Sequence, residues 1–339
     1  MGYKLAGYDV LGNVEIDPKM MRLYKKNLNP TYGYLMDIRD FVRQGALPQP
    51  LYDLDILDGS PPCTVFSMAN SSGREKNWGK MKKFAEGQKE QVLDDLFFEY
   101  IKVVEKLRPK VVVAENVKGL IMKNARGYVN MILNRLDAAG YETQLFLLNA
   151  AYMGVPQVRE RVFFVSRKKG TFNNRNLDFN CKPITFGEVR TKKGKEIIDR
   201  DCKIAKMLKH RRRGDLSLMH INRREFSSES LSSHSIIHDD RVACCMVASS
   251  MKFRACDGAF MSKGDIVNCS TFPQDYDFMG EDVQRVCGMC VPPVMMAQIA
   301  RQIYLQWFGG EEIEAEANDD IQPGAIINSD SFYPIGEHP

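Results

Sequence analysis

Apolar positions along the chain fall into short continuous runs separated by stretches with helical spacing. GYDVLGNVEID, residues 7–17, is an apolar run that ends in two carboxylates, Glu15 and Asp17. The following MMRLYKKNL repeats at helical spacing through Met20, Leu23, Tyr24 and Leu28. LYDLDILDG, residues 51–59, predicts a second strand running into a turn. QVLDDLFFEYIKVVEKLRP, residues 91–109, spaces Val92, Leu96, Phe97, Ile101 and Val104 on one helical face, with Pro109 marking its end. VVVAEN, residues 111–116, is a continuous apolar strand of the kind covered on both faces. VNMILNRLDAAG predicts another helix, and YETQLFLLNA and RVFFVSRKK two more strands. Strands alternating with helices over residues 8–167 predict an α/β fold built on an open, mostly parallel sheet.

After Lys169 the pattern changes. Residues 170–270 hold short irregular apolar pieces and the Ser-rich FSSESLSSHS, so they are expected to form a smaller module whose fold the pattern does not give. MAQIARQIYLQWF, residues 296–308, restores a helix. The expected organisation is an α/β domain over 1–169, a second module over 170–270, a return to the first domain over 271–310, and a loosely packed tail over 311–339.

The 339 residues are long enough for two or three domains. No apolar run approaches the roughly 20 residues that span a bilayer, and the N-terminus lacks the pattern of a secretory signal. An intracellular, cytoplasmic protein without membrane contact is expected. The nine cysteines then read as free thiols. Only Cys287 and Cys290 have close metal-like spacing, and with no second close pair, no metal site is expected. A net charge of +4 says little, but six Lys or Arg fall within KIAKMLKHRRR, residues 203–213. Such a run is either a solvated face or a surface that neutralises nucleic-acid phosphates.

Three polar sequences fall where strands of an open sheet end, which is where ligands bind. They are Glu15 with Asp17, the turn DGSPPC, and Glu115-Asn116. A carboxylate at an early strand end suits a ribose diol, although Asp17 could equally cap a helix beginning at Pro18. Pro61 and Pro62 fix the backbone before Cys63, a restraint that a packed structural thiol does not need. A thiol and a carboxyl on neighbouring strand ends could act as nucleophile and acid on a shared substrate.

These residues resemble, in order along the chain, the motifs of the DNA cytosine-5 methyltransferases. GSPPC at 59–63 is similar to the nucleophile motif, AENV at 114–117 to the glutamate motif, and LNAAYMGVPQVRERVFFV at 148–165 to the segment ending in Gln-x-Arg-x-Arg. VEIDPKMMRLYKKN, Asp37-Ile38 and Leu96-Phe97 resemble cofactor-side motifs, and STFPQDYDF and GMCVPPVMMAQIARQI the last two blocks. The match covers residues 1 to about 167 and 256 to about 305.

The resemblance implies a sheet of the S-adenosylmethionine-dependent methyltransferase type, with 170–270 as target-recognition domain and double-stranded DNA as substrate. Cys63 would attack C6 of a flipped cytosine. Glu115 would hydrogen-bond at N3 and the exocyclic amine, Arg161 would contact the base carbonyl, and Arg159 would support the loop and backbone. Glu15, Ile16, Asp37, Ile38, Pro61 and Leu96 would lie on the S-adenosylmethionine side. Pro62, Asn116, Val117 and Gln157 would lie on the substrate side, with Lys206, Lys209, Arg211, Arg212 and Arg213 on the DNA backbone. A monomer is expected.

Two departures from the family pattern stand out. The glycine-rich cofactor loop is absent, since MGYKLAGYDV resembles the helix that should follow it; missing sequence is the favoured expectation, with a complementary chain of a split enzyme as another. GMCVPP carries Met289 where the family usually has an amide. The alternatives are therefore a catalytically defective or split DNA-binding member of the same fold, and methylation of RNA by the same chemistry. A nicotinamide-dependent oxidoreductase would leave Pro-Pro-Cys, Glu-Asn-Val and Gln-x-Arg-x-Arg unused.

Overall fold

The structure is a computed structural model describing residues 1–62, 95–122, 125–170, 176–197, 199, 201–226, 234–309 and the backbone of 326–327. In chain order its elements begin with α1 (Gly2–Leu5), β1 (Gly12–Glu15), α2 (Pro18–Leu28), β2 (Tyr32–Leu35), α3 (Ile38–Arg43) and β3 (Ile56–Gly59). There follow α4 (Leu96–Leu107), β4 (Val111–Val117), α5 (Arg126–Ala138), β5 (Tyr141–Asn149), β6 (Glu160–Lys168), α6 (Phe186–Val189) and α7 (Lys203–Leu208). The last are α8 (Leu218–Phe226), β7 (Ser235–Ile237), β8 (Lys252–Arg254), α9 (Lys263–Cys269), α10 (Val283–Met289), α11 (Pro293–Trp307) and β9 (Ile326–Ile327).

Local signals account for the helix ends. Asp17 caps α2, its side chain accepting from the Lys19 and Met20 amides at 2.8 and 3.4 Å, and Pro18 needs no such partner at the first position. Such a cap contributes about 1 kcal/mol. The left-handed Asn29 closes α2. Arg108, with φ of 52°, ends α4 immediately before Pro109.

β1 and β2 form a parallel two-stranded sheet, and a five-stranded sheet has the order β3-β4-β6-β5-β9. β3 and β4 are parallel, whereas β4–β6 and β5–β9 are antiparallel. The expected α/β fold is thus observed, with the five-stranded sheet mixed in strand direction rather than mostly parallel. β4 is the centre of the core: Val111, Val112, Val113 and Ala114 are buried, as the unbroken apolar run predicts. Phe97, Ile101 and Val104 of α4 and Val129, Ile132 and Leu136 of α5 pack into the cluster that includes Val112 and Ala114. Phe41, Leu47, Val103 and Leu107 form a second cluster, against which Val14, Tyr34 and Leu57 rest.

Contacts group the described residues into two compact units. One holds Val10–Leu148, Glu160–Asp178 and β9, with both of these sheets. The other holds Met1–Asp9, Asn149–Arg159 and residues 179–309. In the second unit α1 lies against α11, where a side chain on Gly2 would come within 2.4 Å of Met296. A small cluster of Met207, Leu208, Leu218, Ile221, Ile236 and Phe253 joins α7, α8, β7 and β8. Among the described residues no helix is long and apolar enough to cross a membrane.

Candidate active site

The parallel pairing of β3 with β4 sets Gly59 opposite Ala114, so both strands deliver their next residues at one edge of the sheet. Beyond Gly59 the chain enters Ser60, Pro61 and Pro62, of which Pro61 is buried and Pro62 exposed. Asn116 is only 4% exposed. Its Nδ2 donates to the Pro61 carbonyl at 3.0 Å, while its Oδ1 accepts from the Val117 amide at 2.9 Å. Both ends of the amide are thus used within the protein, and the Pro-Pro turn is tied to β4. Cys63 lies outside the described residues.

On the same stretch of β4, antiparallel pairing sets Glu115 opposite Phe163 and Val117 opposite Arg161. Alternation along a strand then puts the Glu115 and Arg161 side chains on one face as diagonal neighbours. They form a largely buried ion pair, Arg161 Nε to Glu115 Oε1 at 2.9 Å. Arg161 Nη1 also donates to the Glu160 carbonyl at 2.7 Å. A guanidinium held at two points has its remaining donors fixed in direction, which suits recognition of a planar carbonyl group. Next along the ladder Lys118 pairs with Glu160 at 3.0 Å, an ion pair that the sequence pattern did not single out.

Glu15 is the last residue of β1 and Asp37 comes two residues after the end of the adjacent parallel β2, with Glu15 opposite Leu35. Glu15 Oε1 accepts from the Asp17 amide at 2.8 Å. Burial raises its pKa above the ordinary carboxylate value, against the lowering effect of the Asp17 and Ile16 amides. Asp37 caps α3 by accepting from the Arg39 amide at 2.8 Å and also pairs with the Arg39 guanidinium, which reaches on to Asp95. Ile16 is exposed, Ile38 is partly buried against both core clusters, and Leu96 is buried at the start of α4. Two carboxylates at neighbouring strand ends, one of them kept poorly hydrated, fit a ligand carrying a diol and an amine.

The raised pKa of Glu15 has a sign that can be tested. A carboxyl whose folded pKa lies above its unfolded value favours the fold below the unfolded pKa and opposes it once ionised. Glu15→Gln is therefore expected to melt higher than the wild type at pH 7, with the difference shrinking as pH falls toward 4.5. Thermal melts across that range check it; a lower melting temperature at pH 7 would contradict the desolvation.

In the second unit Gln157 is fully buried and serves as a brace. Its Nε2 donates to the Cys269 carbonyl at 2.8 Å, and its Oε1 accepts from the Met246 amide at 3.0 Å. Arg159, 3% exposed, donates to the Met246 and Gly288 carbonyls at 3.0 and 3.2 Å. Gly288 is packed so closely that a side chain there would lie 2.3 Å from the Ala248 amide nitrogen, while the neighbouring Met289 is 54% exposed. The structure thus gives Gln157 and Arg159 bracing partners from segments distant in sequence.

The basic run divides in two. Arg211 turns inward, donating to the Ala255 and Leu208 carbonyls at 2.6 and 2.8 Å. Arg212 pairs with Glu225 and Arg213 with Asp240, at 3.0 and 2.8 Å. Lys206 and Lys209 are exposed, away from the buried Met207 and Leu208 of α7. Among the described residues no group of three or more His, Cys, Asp or Glu is placed to hold a metal ion.

Comparison with known proteins bears on family and fold. The family model for C-5 cytosine-specific DNA methylases matches residues 1–305. The type II methyltransferase M1.HphI of Haemophilus parahaemolyticus is 26% identical over 320 residues, covering 89% of this chain and 82% of that protein. M.FnuDI of Fusobacterium nucleatum is 33% identical over 199 residues, 58% of this chain and 51% of that one. The chain thus spans about half the length of some of the curated relatives it matches. Among solved structures, a DNA modification methyltransferase from an E. coli prophage aligns with a TM-score of 0.63 at 17% identity, over 91% of this chain and 95% of that one. A Spodoptera frugiperda DNMT2 variant aligns at 0.57 and 16% identity, over 89% and 95%; both likenesses concern the fold. Matched over residues 1–305, the chain belongs to the C-5 cytosine-specific DNA methylase family.

Proposed function

We propose that the chain methylates C5 of a cytosine flipped out of double-stranded DNA, through a covalent bond from Cys63 to C6. The observation that carries this reading is the pair that Glu115 of β4 makes with Arg161 of β6, the next residue of β4, Asn116, holding the turn that precedes Cys63 in sequence. Cytosine C5 is a weak nucleophile until C6 is saturated. Addition of the Cys63 thiolate at C6 makes C5 enamine-like, with the displaced charge spread toward N3 and the carbonyl oxygen. Glu115, carrying a proton when the base is bound, donates it to N3 and accepts from the exocyclic amine, and Arg161 donates to the carbonyl oxygen where charge develops. S-adenosylmethionine, when bound, supplies an electrophilic methyl group, with Glu15 on its ribose hydroxyls and Asp37 at its adenine. After C5 has taken the methyl, loss of the C5 proton expels the thiolate and restores the ring. Flipping the base costs a few kcal/mol, supplied by protein contacts. The type II names of the relatives favour a role in a restriction-modification system.

The test is transfer of a radiolabelled methyl group from S-adenosylmethionine to a randomised DNA duplex pool, followed by nucleoside analysis. Label in 5-methyldeoxycytidine supports the reading. Label only in a parallel randomised RNA pool would move the substrate to RNA, and DNA binding without label would support a non-catalytic member of the fold.

DNA contact is expected from Lys206 and Lys209 more than from the arginines beside them, whose guanidiniums already have partners within the unit. Each lost phosphate contact reduces the slope of log affinity against log salt by about one unit. The double variant Lys206→Ala, Lys209→Ala is therefore expected to lower the slope by about two units. An unchanged slope would make the stripe a solvated face.

A further inference from the structure

We propose that Tyr100 is a positioning residue for the turn that presents Cys63, an inference that rests on the catalytic reading above. Tyr100 lies in α4 beneath the sheet and is buried in the main core cluster, its ring edge-on to Phe97 with centroids 6.2 Å apart. A phenylalanine would fill that space without bringing a polar atom into it. The hydroxyl is costly to bury unless bonded, and it is placed between two carbonyls on different strands: Leu57 of β3 at 2.9 Å and Val113 of β4 at 3.0 Å. Burial, and then the nearby Asp58, pushes its pKa well above the usual value, so it stays a neutral donor wherever the protein works.

The ring also forms the floor under the last residue of β3. A side chain on Gly59 would come within 2.4 Å of the Tyr100 ring, so Gly59 is what allows the strand end to sit this close. From Gly59 the chain passes through Ser60 to Pro61, whose carbonyl is held by Asn116. Tyr100 and Asn116 thus restrain the backbone on both sides of Ser60, and the two rigid prolines carry that restraint toward the nucleophile. Near-attack geometry makes such restraint count in rate, since a misplacement of about 1 Å can cost on the order of a hundredfold.

The experiment compares wild type with Tyr100→Phe, which keeps the ring, and with Gly59→Ala, which presses on the ring from the strand side. The probe is a randomised duplex pool carrying 2-pyrimidinone in place of cytosine in one strand. A thiolate adds to C6 of that base and C5 takes up a proton, so the adduct forms without methyl transfer. In both variants the adduct rate per folded molecule is expected to fall by at least about tenfold with DNA affinity unchanged. Amide hydrogen exchange at Gly59 and Ser60 is expected to quicken. An adduct rate within twofold of wild type in folded Tyr100→Phe, whatever its melting temperature or exchange, overturns the proposal and leaves the tyrosine a core residue only. If the wild type itself forms no adduct, it is the catalytic reading that fails; unchanged exchange at Gly59 and Ser60 would then overturn the positioning claim as well.

Discussion

Cys63→Ser is expected to lower methyl transfer at least about a thousandfold while leaving DNA affinity within about twofold. An ordinary cysteine, with a pKa of about 8.5, has a small thiolate fraction at neutral pH and is a good nucleophile in that form. A serine hydroxyl has no comparable anion and is a poor leaving group from C6, so the substitution removes both addition and elimination. The buried Cys287 makes a poor substitute. Burial pushes Cys287 up to about 12, despite a hydrogen bond from Ser270, so it is almost wholly protonated at pH 7. Cys287→Ser should accordingly keep wild-type turnover. Single-turnover rates and fluorescence anisotropy on the same DNA separate the two effects. Activity surviving in Cys63→Ser would remove this residue from the chemistry.

Arg161→Ala is expected to cost about 100- to 1,000-fold in the rate of methyl transfer, the range for removing one fixed donor from a developing negative charge. The loss has two sources in the structure: the donor itself, and the partner that holds the Glu115 carboxylate at 2.9 Å. Arg161→Lys keeps the charge but not the planar fork, and it cannot hold both Glu115 and the Glu160 carbonyl in the same way. It should recover only part of the rate. Because the pair is made by side chains on an intact β4–β6 ladder, the fold should survive both changes. A rate within threefold of wild type in Arg161→Ala would place the charge stabilisation elsewhere.

The parts of this molecule that were legible in the sequence are those set by local rules. The unbroken run at 111–114 is a buried strand, Asp17 caps the helix that begins at Pro18, and Pro109 follows the end of α4. Strand ends could be read too, and with them the nearness of Glu115 to the proline turn. What could not be read depends on partners far away in the chain. Gln157 meets Cys269 and Arg159 meets Met246 across separations of 112 and 87 residues, and no periodicity encodes either contact. The arginines at 211–213 looked like one basic surface, yet Arg211 spends its donors on carbonyls because the loop at 255–256 lies beside it. Tyr100 is hidden in the sequence for a related reason. An apolar count registers its ring as one more core residue, whereas its hydroxyl acquires meaning only from the carbonyls of two strands packed above it.

The measurement that bears most directly on the central claim is covalent trapping on DNA carrying 5-fluorocytosine. With S-adenosylmethionine present, thiolate addition and methyl transfer leave fluorine at C5 in place of the removable proton, so elimination stops and protein stays bonded to DNA. Denaturing electrophoresis followed by peptide mapping is expected to find the bond at Cys63, with Cys287→Ser and Cys290→Ser retaining it and Cys63→Ser losing it. An adduct mapped to any other cysteine, or no adduct from protein shown to bind both cofactor and DNA, would contradict the account.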